Sequence, residues 1–163
     1  MRRITLCLMF MRNFTAQTIA LVKDYDSVRD IALLKVDLQN STPLLKISST
    51  LPRQGEIVIA IGTPRGLSGS VSSGIVSALR QTNNNILVQF TAPISHGSSG
   101  GALISLNGEV IGVTSGNWPE ENQNLNFAVA STILRQFLSS AINKSARALP
   151  RSVPSIIHYV SLH

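Results

Sequence analysis

The feature that most narrows what this chain can become is its punctuation. Apolar and β-branched residues come in short runs, each cut off within a few positions by Gly, Pro, Asn or Ser. Runs of four to six such residues have the length of strands and are too short for a helix that must nucleate and hold itself. They predict strands at residues 4–9, 17–21, 31–36, 57–61, 74–79, 86–90, 102–105, 110–114 and 126–129. So many short strands with turn residues between them predict an all-β barrel or sandwich. Turn chemistry sits where it is needed, at "NNN" (83–85), at Asn107 and Gly108, and in the polar stretch "NWPEENQN" (117–124). The Asn-Gly pair between two apolar runs is the clearest hairpin signal, because both residues tolerate the positive φ of a tight turn. One helix is predicted, capped by Ser131 or Thr132, with Ile133, Leu134, Phe137, Leu138 and Ile142 on one face.

Composition excludes several classes. Apolar residues make up 44% of the chain and charged residues 13%, too greasy and too weakly charged for disorder. The formal charge is +6, yet the cations are scattered apart from Arg2 and Arg3 at one end and Arg135, Lys144, Arg147 and Arg151 towards the other. No aromatic residues alternate with them as a base-stacking surface requires, so nucleic acid is not an expected partner. Cys7 stands alone, which leaves no intrachain disulfide. The opening "MRRITLCLMFMR" imitates a signal peptide weakly; its apolar run ends at Arg12, and a buried strand accounts for it as well. No stretch has the roughly 20 apolar residues of a membrane-spanning helix. Residues 144–163 carry two prolines and no period, and read as a basic tail or linker.

The stretch "HGSSGGAL" (96–103) carries the chemistry. Acyl transfer by a serine needs an exposed hydroxyl and, beside it, backbone N–H groups aimed at the oxyanion that develops on the substrate carbonyl. Gly97, Gly100 and Gly101 surround Ser99 with the conformational freedom such a bend needs. Ser98 reads as a structural hydroxyl, Asp24 and Asp26 as turn residues, and Trp118 as a rim aromatic. Asp30, taken alone, is either a strand-end aspartate, a partner of Arg29, or a catalytic acid.

These residues resemble a family. "GSSGGAL" is similar to the G-x-S-G-G-[PA]-L nucleophile loop of trypsin-like serine proteases, and "RDIALLKVD" to the segment that carries the triad aspartate. "GEIVIAIGTPRGLSGSVSSGIVSAL" resembles a stretch of the HtrA/Deg-like branch, and "GEVIGVTSG" and "NFAVA" follow in the family's order. The loop and these four further motifs, in order over residues 30–130, make the match specific. The resemblance implies a trypsin-like double β-barrel, with the first barrel incomplete and one C-terminal helix. A peptidase domain would span 1–143, as a partial first barrel (1–50), a second barrel (51–130) and a closing helix (131–143). It implies peptide-bond hydrolysis through an acyl-enzyme on Ser99, with Asp30 as the triad acid. The N–H groups of Gly97 and Ser99, with Ser98 beside them, would form the oxyanion hole. Ser115 and Gly116 match the edge strand that receives an extended polypeptide substrate, and Asn126, Phe127 and Ala128 a wall of the primary specificity pocket. No cofactor or metal is implied, and the compartment implied is extracytoplasmic.

One departure qualifies this. In the family a histidine precedes the aspartate, and residues 1–29 contain none. His96 lies three residues before Ser99 on the same loop, and His158 and His163 lie in the tail. The expectation is a site half present, in a chain that is nearly inactive alone, with possible pairing to a chain that completes the first barrel. The alternative is a non-catalytic module that keeps the groove and binds peptides by strand addition.

Overall fold

A computed structural model describes residues 20–36, 44–62, 70–95, 97–117 and 125–142. Eight strands and one helix follow in chain order: β1 (Ala20–Asp26), β2 (Ile31–Val36), β3 (Ile57–Gly62), β4 (Ser70–Gln81), β5 (Ile86–Phe90), β6 (Ala102–Ser105), β7 (Val110–Asn117), β8 (Asn126–Ala130) and α1 (Ser131–Ile142). Strands β3 to β8 close into an antiparallel barrel in the order β3-β4-β5-β8-β7-β6, while β1 and β2 form a separate two-stranded antiparallel sheet. The strand expected at 4–9 and the tail from 144 lie outside the described residues.

Alternation along the strands sorts side chains into two cores. Val58 and Ala60 of β3, Val88 and Phe90 of β5, Leu103 of β6, Ile111 of β7 and Ala128 and Ala130 of β8 fill the barrel. The intervening positions Leu87 and Val129 point the other way, where Ile133, Leu134, Phe137 and Ala141 of α1 meet them together with Ile31 and Leu33 of β2. The helix therefore fills the space between the barrel wall and the β1–β2 sheet. An open first barrel predicts an exposed β2 face, but Leu33 is 1% exposed because α1 covers it.

Three local expectations need correction. The strand expected at 17–21 runs on to Asp26, so Asp24 sits within β1, opposite Leu33 at a register shift, and only Asp26 opens the turn. The strand expected at 74–79 is twelve residues long, Ser70–Gln81, and bends at a bulge between Val76 and Ala78 to pass from β3 to β5. Among the described residues neither predicted cap forms: the Ser131 hydroxyl donates to the Thr50 carbonyl at 3.4 Å and accepts no first-turn N–H, and the Thr132 hydroxyl is buried without a partner.

Candidate active site

The loop around Ser99 uses its glycines in two ways. Gly97 (φ 92°) and Gly100 (φ 83°) lie in the left-handed region that residues with a Cβ rarely enter. Gly101 is held instead by space: a Cβ there would stand 2.2 Å from the Ile61 carbonyl oxygen of β3. Within the loop the Ser98 N–H donates to Ser95 O at 2.9 Å and the Gly101 N–H to Ser98 O at 3.0 Å, which closes a tight turn with Ser99 at its crest. Ser98 is 5% exposed and its hydroxyl accepts from the Ser95 N–H at 3.4 Å, while Ser99 remains partly exposed. Among the described residues, neither the Gly97 nor the Ser99 N–H has an acceptor.

Thr114 of β7, which sequence reasoning missed, fixes this loop. The Gly100 N–H donates to Thr114 O at 2.7 Å, the Thr114 N–H to Gly101 O at 2.9 Å, and the Thr114 hydroxyl to Ser98 O. Thr114 is 2% exposed. A threonine at an inward position of the apolar run "VIGVT" was the available signal, since a buried hydroxyl needs a partner.

The next residues of β7 leave the sheet's register. Thr114 pairs with Ala128 and Asn117 with Asn126, so Ser115 and Gly116 together oppose Phe127 in a bulge. The Ser115 hydroxyl donates to Asp30 Oδ2 at 3.4 Å, across 85 positions of sequence. Adjacent residues of one strand thus touch the Ser99 loop and the Asp30 carboxylate.

Asp30 ends the turn between β1 and β2, with φ 57°. The strain of a non-glycine residue in that region persists only where surroundings enforce it. Here Asp26 Oδ1 accepts the N–H groups of Val28 (3.0 Å) and Arg29 (3.1 Å), and Asp26 Oδ2 takes the Arg29 guanidinium at 2.8 Å. Arg29 therefore pairs with Asp26, and the alternative of an Arg29–Asp30 pair is not what the structure shows. Burial works against the Asp26 charge, but the Arg29 N–H and guanidinium and the Val28 N–H outweigh it and hold its carboxyl below the usual range.

Of the expected pocket residues, Asn126 is 4% exposed and its amide donates to Ala92 O at 2.8 Å, which ties β8 to the segment leading into the Ser99 loop. Ala128 points into the barrel core and Phe127 packs against the cluster under α1. His96, Trp118, His158 and His163 lie outside the described residues. Among the described residues, no three His, Cys, Asp or Glu side chains gather as metal ligands, and no helix is long and apolar enough to cross a membrane.

Comparison with known proteins agrees with the fold. A family model described as a trypsin-like peptidase domain matches residues 12–113. Serine protease HTRA1A of Danio rerio is 38% identical over 137 residues, covering 78% of this chain and 28% of that protein. Serine protease HTRA2, mitochondrial, of Bos taurus is 38% identical over 137 residues, covering 78% of this chain and 29% of that protein. The chain thus spans under a third of the length of these relatives. Among solved structures, an HtrA-type protease, AlgW with a decapeptide, superposes with a TM-score of 0.69 at 30% identity, covering 77% of this chain and 41% of that one. The chain belongs to the trypsin-like peptidase family, and within it resembles the HtrA-type serine proteases.

Proposed function

We propose that this site is that of a serine endopeptidase, with Ser99 as the acylated nucleophile and Asp30 as the acid that orients the catalytic base. The observation that carries the reading is the meeting at β7: Thr114 holds the Ser99 loop and Ser115 contacts Asp30. The Gly97 and Ser99 N–H groups serve as the oxyanion hole. An extended polypeptide lies along Ser115 and Gly116, whose bulge frees them from β8, while the buried Asn126 and Ala128 support that edge from behind and Phe127 braces it against α1. That the AlgW structure is one with a decapeptide supports a peptide ligand. The peptidase unit we propose covers 1–143, with an extracytoplasmic location.

No histidine precedes Asp30 in these 163 residues. Without a base, only the oxyanion hole and binding remain, a residual of roughly a thousand- to ten-thousand-fold over water. Ser99 of the purified chain should therefore react with a fluorophosphonate no faster than a free hydroxyl. Supplying the histidine-bearing strands of an HtrA relative, fused before residue 1, should bring hydrolysis that Ser99→Ala abolishes. Soluble fusions that cut no peptide and label no serine would leave the second reading, a peptide-binding module without catalysis. The freed β7 residues favour that reading equally, and retained peptide binding would identify it.

A further inference from the structure

The turn that carries Asp30 is tied to the second barrel as well as to itself. Arg29 sends two branches of one guanidinium in different directions: Nη1 to Asp26 Oδ2 at 2.8 Å, within the turn, and Nε to the Asn84 carbonyl at 2.9 Å, on the hairpin between β4 and β5. That carbonyl sits on a braced tip. The Thr82 N–H donates to Asn85 O at 2.9 Å, the Asn85 N–H to the Thr82 hydroxyl at 3.0 Å, and the Ile86 N–H to Asn85 Oδ1 at 3.0 Å. Immediately after Arg29 comes Asp30, in the left-handed region and in contact with Ser115. The turn is thus fastened to the barrel at two points, Arg29 on the hairpin and Asp30 on β7.

We propose that Arg29 is a positioning residue for Asp30, bridging Asp26 to the β4–β5 hairpin so that the aspartate's backbone and carboxylate are held at Ser115. The inference rests on reading Asp30 as the triad acid. Asp26 alone shapes the turn through the Val28 and Arg29 N–H groups, but it leaves the turn free to swing as a body about β1 and β2. The Arg29–Asn84 bond removes that freedom, because it joins two elements whose chain connection runs through more than fifty residues. Lysine is no substitute: a single ammonium lacks the planar fork that serves two acceptors in fixed directions.

The test reads the position of Asp30 without hydrolysis, by backbone resonances of the full chain. Arg29→Ala should shift the Asp30 and Ser115 resonances while leaving those of Val58 and Leu103 in place, and should speed amide exchange at Val28 by about fivefold, the worth of one hydrogen bond. Arg29→Lys should recover less than half of the Ser115 shift. Thr82→Val, which loosens the hairpin tip without touching the turn, should move Ser115 in the same direction and by less, and it keeps the test open if Arg29→Ala misfolds. A Ser115 resonance unmoved by Arg29→Ala, or fully restored by Arg29→Lys, overturns the proposal. Failure of the catalytic reading shows separately, as a histidine-completed fusion that stays inert while these shifts appear.

Discussion

The closed barrel and the β1–β2 sheet solve the same problem with unequal means. In the barrel every strand from β3 to β8 has a partner on both sides, so most of its N–H and C=O groups are satisfied within it, the β7 bulge at Ser115 and Gly116 apart. The two-stranded sheet has no such closure among the described residues, and an isolated hairpin is at best marginally stable in water. It is held by what it leans on: α1 against Ile31 and Leu33, Arg29 on the β4–β5 hairpin, and Asp30 on Ser115. The barrel makes the Ser99 loop rigid, and the sheet brings Asp30 to it through a handful of contacts. Asp30 and Ser99, the proposed acid and nucleophile, therefore sit on supports of different strength.

That contrast breaks first at the centre of the barrel. Phe90 is 0% exposed, and Phe90→Ala should lower the unfolding free energy by about 4 kcal/mol in urea titration. The sheet's equivalent is Leu33→Ala, which removes a side chain 1% exposed beneath α1. Its cost of about 3 kcal/mol should fall on β1 and β2, speeding their amide exchange about a hundredfold while β3 to β8 keep their protection. Equal acceleration in both regions would show one cooperative unit and erase the distinction. Gly101→Ala probes the joint between loop and barrel, since its methyl meets the Ile61 carbonyl at 2.2 Å; about 2 kcal/mol and a displaced Ser99 loop should follow.

Smaller effects come from charge. The Asp26 carboxyl is held below its usual range in the folded chain, so its contribution is present above the unfolded value and is lost as pH falls through the folded one. Acidification should loosen the β1–β2 turn before the barrel, and Asp26→Asn should flatten that difference; an unchanged acid response in this variant would show that another group governs the turn. Smallest of all is Lys46, whose ammonium reaches Glu109 at 2.6 Å while its own side chain is 78% exposed. Lys46→Ala should leave the melting temperature unaltered, as for most solvated ion pairs.

Much of the fold was legible because strand signals are local. The runs at 57–61, 86–90 and 102–105 became β3, β5 and β6 with at most one residue added, since short apolar runs bounded by turn residues already encode a strand. Misjudgements fell where a partner distant in sequence intervened. Asp24 looked like a turn residue until β2 extended β1 past it, and Ser131 looked like a cap, yet its hydroxyl points to the Thr50 carbonyl and accepts no first-turn N–H among the described residues. Thr114 drew no notice because its importance lies in the three loop groups it binds.

The site divides along the same line. The glycine spacing around Ser99 and the motif around Asp30 are properties of short segments, since backbone freedom and strand-forming tendency depend on a residue and its neighbours, and the sequence alone determined both. That β7 joins the two, with Thr114 on one loop and Ser115 on the other carboxylate, depends on barrel closure and on the bulge that turns two successive residues out of register. The bridge from Arg29 to Asn84 spans 55 positions and ends on a backbone carbonyl. Every residue carries such a carbonyl, so no pattern of side chains could announce it; only packing the sheet against the barrel decided which one Arg29 would meet.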